Sequence, residues 1–266
     1  MTRMPESVAV IITTYNAPAY LARVLDGYLL QTKYPDELIV ADDGSGPETR
    51  AVVESFAQQA PFAVRHVWHE DSGFRAARIR NEAVRGSTAA YLIFTDGDCI
   101  PQPSFVADHC RLARPGWFVQ GKRMLVDENA SGGFTGGTFR NVAGHCLRGQ
   151  LSGWHHLLRL PGVALRVRGL KGIKTCNLAL WRSDFYAVNG FDESFVGWGR
   201  EDAEFAARLF HYGLSRRDPP FSALVFHLWH PENSRSNLPE NDRKLQESVA
   251  GQSYYCRSGV VKDVES

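Results

Sequence analysis

The chain has 266 residues, of which 44% are hydrophobic and 22% charged, with a formal net charge of +1. This composition excludes collagen, a coiled coil and wholesale disorder. The balanced charge argues against a nucleic-acid partner, and no apolar run approaches the ~20 residues that span a bilayer. Five scattered cysteines without a CxxC pair favour a reducing compartment, so we expect a cytoplasmic protein.

The first hundred residues alternate between strand-like and helix-like segments. The patterns predict strands at 8–14, 38–41, 64–68 and 90–95, and helices after a cap at Asn16, around 52–56 and at 75–85. This order is typical of right-handed βαβ units. It predicts an α/β fold with a mainly parallel central sheet and helices on both faces.

The second half is less regular. Residues 129–183 contain no Asp or Glu but eight Lys or Arg. An amphipathic helix is predicted at 201–212, a strand at 223–228 and a polar helical tail at 238–257. With neither a repeat nor a low-complexity linker, we expect a single domain.

Polar clusters follow three of the predicted strands, at 13–16, 42–45 and 96–98. Each cluster alone also fits an ordinary turn, because Asp and Gly are turn residues. In open parallel sheets, however, ligands bind at the carboxyl ends of the strands. Three clusters at successive strand ends therefore favour a ligand site.

The sharpest cluster is Asp96-Gly97-Asp98. The glycine permits a tight bend that aims both carboxylates at one point, where they repel each other unless a cation lies between them. Oxygen ligands favour Mg²⁺ or Mn²⁺, which commonly also bind a substrate phosphate. This cluster predicts a metal-held diphosphate.

Several enzyme classes are disfavoured by missing motifs. The chain lacks GxxxxGK[ST], lacks GxGxxG after the first strand, and lacks GxSxG. A P-loop NTPase, a Rossmann dehydrogenase and an α/β-hydrolase are therefore not expected.

A second cluster comprises Gly197-Trp198-Gly199 and the acids Glu201 and Asp202. Acids at the start of a helix can simply complement the helix dipole. The glycine-flanked tryptophan, however, offers a flat surface on which a sugar ring can stack, and a neighbouring carboxylate could accept a proton from a sugar hydroxyl.

The third cluster is His227-Leu228-Trp229-His230. Positions three apart on an extended strand face opposite sides, so both imidazoles reach one metal only if the chain bends. Pro231 favours such a bend. The alternative is one packed and one exposed histidine.

The stretches IITTYN, LIVADDGS, GFRAARIRNEAV, YLIFTDGDCIP and NGFDESFVGWGREDAEFAARL together resemble a nucleotide-sugar glycosyltransferase of the GT-A fold, in glycosyltransferase family two. The last stretch is also similar to the carboxyl-terminal signature of β-1,4-galactosyltransferases and chondroitin-type polymerases. The resemblance implies one GT-A domain over 1–266. Its nucleotide-binding half would cover about 1–100, and its acceptor-binding half and tail about 101–266.

The resemblance also implies roles for individual residues. Nucleotide contacts would come from Thr13, Tyr15, Asp42, Asp43, Arg78, Asn81 and Asp96. Metal ligands would be Asp96, Asp98, His227 and His230, and acceptor contacts Trp198 and Glu201. Asp202 would be the catalytic base, with a low pKa because it lies at a helix N-terminus. Arg200 departs from the glycine common in the related signature.

The implied activity is an inverting transfer, dependent on Mn²⁺ or Mg²⁺, from a nucleotide sugar to a glycan or glycolipid acceptor. A UDP-sugar donor and a role in bacterial surface polysaccharide or lipopolysaccharide synthesis are expected. One alternative is a catalytically silent sugar-binding protein, which would have lost one of the two acidic motifs. Another, a nucleotidyltransferase, would need a Lys-bearing glycine-rich loop after the first strand, and TTYNAPAY is not such a loop.

The segment 154–174 is basic and interleaved with leucines and valines; its cations are Arg159, Arg166, Arg168, Lys171 and Lys174. One interpretation is an ordinary solvated face. The other is a docking surface, either for an anionic acceptor read by Arg166 and Arg168 or for the inner face of the membrane, where each basic residue adds ~1 kcal/mol.

Overall fold

A computed structural model describes residues 4–231 and 234–262. The predicted domain limits at 1 and 266 lie outside the described residues, as do residues 232 and 233. The division into a nucleotide half and an acceptor half stays a prediction.

The strands are β1 (Val8–Thr14), β2 (Glu37–Asp42), β3 (Ala63–Trp68), β4 (Tyr91–Asp96), β5 (Cys99–Pro101), β6 (Trp117–Gln120), β7 (Lys122–Leu125), β8 (Leu165–Val167), β9 (Asn177–Trp181), β10 (Ser215–Asp218) and β11 (Leu224–His227). The helices are α1 (Pro18–Leu29), α2 (Pro47–Ala57), α3 (Ala76–Arg85), α4 (Phe105–Leu112), α5 (Glu128–Ser131), α6 (Phe139–Leu147), α7 (Arg182–Ala187), α8 (Glu201–His211) and α9 (Leu238–Gly251). A short 3₁₀ turn spans Trp154–Leu157.

The main sheet has the strand order β3-β2-β1-β4-β9-β6-β10-β8. Strands β1 to β4 are parallel, as predicted, because helices α1, α2 and α3 return the chain between them. Strand β9 runs antiparallel to both β4 and β6, so the sheet is mixed. Strand β10 is again parallel to its neighbour β6. The predicted α/β class with a mainly parallel central sheet is confirmed.

Both faces of the sheet are covered. On β1, Val8, Val10 and Ile12 pack in one buried cluster with residues of α1 and α2. Ala9 and Ile11 point to the opposite face and pack with residues of α3 and α8. This alternation follows from the two-residue period of a strand. The parallel strands therefore lie between two helical layers.

A second, three-stranded sheet has the strand order β5-β11-β7. Strand β11 is antiparallel to β5, and their register sets His227 opposite Cys99. Because Cys99 directly follows Asp98, this pairing brings Asp98 close to His227, which lies 129 positions later in the sequence.

Two helix limits differ from the sequence prediction. Asn16 does not cap α1: the capping position is Ala17, and Pro18 starts the helix. Asn16 instead adopts a left-handed conformation with φ 44°, and its Oδ1 accepts a hydrogen bond from the Gly46 amide. Helix α9 ends at Gly251, six residues earlier than predicted. Across residues 4–231 and 234–262, each helix is too short or too polar to span a bilayer.

Candidate active site

A cavity of about 1090 Å³ opens at the carboxyl ends of β1 and β4, between the two sheets and the start of α8. This is the edge at which the polar clusters were predicted to meet. The structure places ten of the predicted residues in its lining: Thr13, Tyr15, Asp43, Asp96, Asp98, Trp198, Glu201, Asp202, His227 and His230.

Asp42 and Asp43 face different surroundings. Asp42 is fully buried, accepts a hydrogen bond from the Ser45 amide and lies 2.9 Å from His66 Nε2. Asp43 lines the cavity, and its Oδ1 lies 2.6 Å from His69 Nε2, while burial raises its pKa. Of the pair, Asp43 is the one placed to meet a ligand, and a nucleotide contact by Asp42 stays a prediction without geometric support.

Arg78 and Asn81 lie outside the cavity lining. Arg78 is half exposed and donates to Glu82 on the same helix at 2.8 Å. Asn81 is fully buried, donating to the Phe191 carbonyl at 2.8 Å and accepting from the Phe191 amide at 2.9 Å. In the structure Asn81 fastens α3 to the loop before α8, so its nucleotide role likewise stays a prediction.

Asp98, His227 and His230 converge. Asp98 Oδ2 lies 3.1 Å from His230 Nε2 and 3.8 Å from His227 Nε2. The chain leaves β11 directly after His227, where the Leu228 amide donates to the Asp98 carbonyl at 2.9 Å, and both imidazoles come within reach of the Asp98 carboxylate. One ligand atom from each of the three side chains lies within 4.8 Å of the others.

This trio fits a divalent metal. Nδ1 of His230 lies 2.8 Å from the Pro231 carbonyl, which anchors the ring and leaves Nε2 with a lone pair for a metal. One carboxylate with two imidazoles is a mixed oxygen and nitrogen set, which favours Mn²⁺ over the oxygen-seeking Mg²⁺. Without a cation, the hydrogen bond to Asp98 raises the pKa of His230 to about 9.

Asp96 is paired with an arginine rather than with the histidines. Its Oδ1 lies 3.3 Å from the Arg80 guanidinium, and burial raises its pKa to about 6. Gly97 is required for space rather than for a left-handed bend, since a Cβ there would lie 2.8 Å from Thr14 Oγ1. One oxygen of Asp96 is thus engaged by Arg80, and metal ligation by Asp96 stays a prediction.

Arg80 also lines the cavity, and the sequence reasoning did not single it out. It is 4% exposed, and it donates to Thr13 Oγ1 at 2.9 Å, Asp96 at 3.3 Å and Glu201 at 3.3 Å. Its charge thereby links β1, β4 and the start of α8 at the cavity. In the sequence, Arg80 falls on the face of α3 that otherwise carries buried alanines and Val84. A buried charge needs partners, so this position was a signal that the sequence already contained.

Asp202 lies in the first turn of α8, and its Oδ1 accepts a hydrogen bond from the Ala203 amide at 2.7 Å. The sequence predicted a low pKa there. That prediction was wrong: burial, with the neighbouring charge of Glu201, raises the pKa of Asp202 to about 7. Desolvation of the carboxylate outweighs the helix dipole, and a pKa near neutrality suits a general base.

Trp198 sits on a sharply bent loop before α8. The φ angles of Gly197, Gly199 and Arg200 are all positive, at 77°, 101° and 79°. The two glycines adopt this conformation without strain. The ring of Trp198 is 37% exposed and faces the Arg235 guanidinium at 5.4 Å. Trp198 is part of the cavity lining, and the stacking of a sugar ring on it stays a prediction. Arg200, the departure from the related signature, pairs with an acid of α9.

The basic segment does not form one surface. Arg159 is held in a bidentate pair with the fully buried Asp108, both contacts 2.8 Å. Arg166 and Arg168 lie outside the cavity lining, whereas Lys171 and Lys174 are part of it. An acceptor contact by Arg166 or Arg168 therefore has no support from the geometry.

Two family models match the chain. The model described as glycosyl transferase family 2 covers residues 9–151, which is more than half of the chain. The model described as the N-terminal domain of galactosyltransferase covers residues 158–231. The site draws on both regions, because Asp98 lies in the first and Asp202, His227 and His230 in the second.

Curated relatives agree with this match. Validoxylamine A glucosyltransferase of Streptomyces hygroscopicus subsp. limoneus is 32% identical over 78% of this chain and 48% of its own length. Chondroitin synthase of Escherichia coli is 25% identical over 93% of this chain and 38% of its own length. The chain thus spans less than half the length of these relatives.

Among solved structures, S. aureus TarS 1–349 in complex with UDP matches with a TM-score of 0.64 and 16% identity. The match covers 92% of this chain and 65% of that chain. At this identity the likeness shows the fold, which is that of GT-A transferases.

Proposed function

The chain belongs to glycosyl transferase family 2, and from this membership we propose that it transfers a sugar from a nucleotide sugar, with UDP as the nucleotide, to a hydroxyl group of a glycan acceptor. One observation carries the proposal. A single cavity is lined both by the trio Asp98, His227 and His230 and by Asp202 and Trp198. A donor and an acceptor could therefore meet there.

On the donor side, Thr13, Tyr15 and Asp43 would contact the nucleoside. Asp98, His227 and His230 would hold Mn²⁺ or, less favourably, Mg²⁺; when bound, the cation would neutralise charge that develops on the leaving diphosphate. The Arg80 guanidinium lies 3.3 Å from Asp96 Oδ1 and holds the Asp96 carboxylate in position. The geometry of the trio supports this assignment.

On the acceptor side, Trp198 would stack on a sugar ring, and Asp202 would take the proton of the attacking hydroxyl. A bond forms between that oxygen and the anomeric carbon while the bond from the anomeric carbon to the diphosphate oxygen breaks. The nucleoside diphosphate leaves with the electron pair. Since one displacement occurs, the configuration at the anomeric carbon inverts. Support comes from the raised pKa of Asp202, about 7, in the cavity wall.

For the biological role we propose synthesis of a bacterial surface polysaccharide or lipopolysaccharide. Support comes from the names of relatives, such as chondroitin synthase of E. coli. The alternative is a sugar-binding protein without catalysis. The two acidic motifs, Asp96-Gly97-Asp98 and Glu201-Asp202, line one cavity, which favours the enzyme.

For location we propose the cytoplasm, with the exposed part of segment 154–174, which includes Arg166 and Arg168, touching the inner face of the membrane. Support comes from five free cysteines and from exposed apolar side chains in that segment, including Trp154 at 73% and Leu165 at 58%. Sedimentation with anionic liposomes and not with neutral ones is the expected result; absence from both pellets would contradict the membrane contact.

The transfer proposal is tested by incubating the protein with a panel of UDP- and GDP-sugars, with and without Mn²⁺. We expect one UDP-sugar to be hydrolysed in the presence of the metal and to raise the melting temperature. At ~100 times the dissociation constant, a ligand adds ~2.7 kcal/mol to the free energy of unfolding. Thermal stabilisation without any turnover would favour the binding protein, and no response to any donor would contradict both.

A further inference from the structure

An arginine of the three-stranded sheet lies in the same part of the cavity as the trio. Arg123, on β7, is partly buried and lines the cavity. Strand β7 is parallel to β11, and their register sets Arg123 opposite Val225 and Leu125 opposite His227. Because side chains on a strand alternate between its two faces, Arg123 and His227 project from the same face of this sheet. They are diagonal neighbours on adjacent strands, a spacing that a long side chain can span.

A contact with the main sheet fixes the direction of the Arg123 side chain. The NH1 atom of its guanidinium lies 3.9 Å from Cys176 Sγ. Cys176 lines the cavity and directly precedes Asn177, which faces Thr95 in the antiparallel pair of β9 and β4. This register sets Cys176 beside the start of the loop Asp96–Asp98. The guanidinium therefore lies next to this acidic loop, and it extends from the sheet face that also carries a histidine of the trio.

Arg123 has no acidic partner in the described ranges 4–231 and 234–262. Within them, no carboxylate oxygen lies within 4.0 Å of its guanidinium, and its one side-chain hydrogen-bond contact is with the Cys176 thiol, a weak acceptor. Arg80 differs, because it contacts both Asp96 and Glu201. A charge that is partly removed from water without a counterion is costly. We therefore expect an anionic ligand to complete the surroundings of Arg123.

The anion expected at this place is the diphosphate of the donor. The proposed metal site at Asp98, His227 and His230 would keep a net positive charge, because one carboxylate does not balance a divalent cation. A guanidinium next to that site would repel the metal unless an anion lay between the two. A diphosphate has enough oxygens for both cations. The planar fork of a guanidinium also matches two phosphate oxygens.

We propose that Arg123 binds the diphosphate of the donor directly, through oxygens that the metal leaves free, and stabilises it as the leaving group. This inference rests on the proposed function and deepens it, because it assigns a cation of the protein itself to the diphosphate. Fixed charges aimed at a leaving group stabilise the charge that develops on it. Part of the affinity for the diphosphate therefore belongs to Arg123 and survives removal of the metal.

The test is titration calorimetry on the full chain with UDP and with uridine, which lacks the diphosphate. Each is titrated into the wild-type protein and into Arg123→Gln, once with Mn²⁺ and once with EDTA. We expect UDP to bind the variant about tenfold more weakly, the worth of one charge-assisted contact of ~1.4 kcal/mol. Uridine should bind both proteins alike. The loss of UDP affinity should also appear in EDTA, because the contact belongs to the protein and not to the metal.

Two further variants locate the effect. Arg123→Lys keeps the charge without the planar fork, so its affinity for UDP should lie between those of the wild type and Arg123→Gln. Arg50→Gln removes an exposed arginine of α2 outside the cavity lining and should bind UDP like the wild type. Melting temperatures show whether each variant is folded. If Arg123→Gln is not, Arg123→Lys provides the comparison of UDP with uridine.

Four results overturn the inference. Equal UDP affinity of the wild type and Arg123→Gln removes Arg123 from the diphosphate, while UDP binding leaves the proposed function standing. An equal loss of affinity for UDP and uridine shows that Arg123 does not act on the diphosphate. A loss of UDP affinity with Mn²⁺ but not with EDTA means that Arg123 acts through the metal site. Failure of the wild-type protein to bind UDP removes the proposed function and the inference together.

Discussion

At the scale of single residues, Asp202 is governed by two opposed effects. The first turn of α8 favours its ionised form through the helix dipole. Burial and the adjacent Glu201 oppose that form, and the net result is a pKa of about 7. A carboxylate with this pKa can accept a proton from a hydroxyl group more readily than an exposed aspartate, and it is still largely ionised above neutrality.

This pKa predicts the pH dependence of transfer. Turnover by the wild-type protein should rise with pH through about 7, because Asp202 must lose its proton before it can accept another. Asp202→Asn should bind the donor normally, turn over ~10²-fold or more slowly, and lack this rise. Initial rates measured across the pH range with the donor found in the panel check both statements.

Glu201→Gln is the matched comparison, since Glu201 is the neighbouring acid and is held by Arg80 at 3.3 Å. It should retain the rise with pH. If Asp202→Asn turned over at the wild-type rate and Glu201→Gln lost the rise, the base would be Glu201.

Sequence reasoning reached the residues whose chemistry is visible in a short motif. Asp98, His227 and His230 were expected together, and the structure brings them together. It did not reach Arg80, whose partners Thr13, Asp96 and Glu201 come from three elements that only the fold assembles. Long-range pairing of a buried charge is a property of packing, and local patterns do not contain it.

At the scale of elements, α9 acts as a brace for the loop that carries Trp198. Asn241 is 1% exposed, and its Nδ2 donates to the Gly199 carbonyl at 3.0 Å and the Val196 carbonyl at 3.3 Å. These carbonyls belong to the loop whose left-handed residues give the sharp bend. A helix that the sequence indicated only as a polar tail therefore holds the loop that carries Trp198.

Asn241→Ala removes both contacts and is expected to raise the acceptor KM several-fold while leaving UDP affinity unchanged. The free energy of unfolding should fall by about 1–3 kcal/mol, the cost of unsatisfied buried groups. Acceptor kinetics and thermal unfolding measure the two effects. Gln246→Ala, an exposed amide on the same helix, is the control and should change neither. A lower melting temperature with an unchanged acceptor KM would make Asn241 purely structural.

Elements with a clean period were predictable, and the reversal of β9 was not. Strands β1, β2 and β4 are continuous apolar runs separated by amphipathic helices, which is the pattern of parallel βαβ units. In the chain, α5, α6, the 3₁₀ turn and β8 separate β9 from β7. Nothing in the sequence of β9 fixes its direction. Its buried Asn177 donates to the carbonyls of Lys122 and Ala223, 2.8 and 2.7 Å away. Such contacts set the position of β9 through tertiary structure.

At the scale of the whole molecule, the cavity exists because two sheets meet. The main sheet supplies Asp98 after β4, and the smaller sheet supplies His227 at the end of β11. The two matched family regions contribute one part each. The central claim is that this junction holds a metal-dependent nucleotide-sugar site.

The most direct measurement of that claim is the affinity for UDP with and without Mn²⁺, in the wild-type protein and in Asp98→Ala. We expect Mn²⁺ to tighten UDP binding by the wild-type protein, and the variant to lose this effect while it stays folded. Asp26→Ala, an exposed acid on α1 outside the cavity lining, serves as the control and should bind like the wild type. An Asp98→Ala variant that binds UDP with the same affinity and the same response to Mn²⁺ would contradict the account.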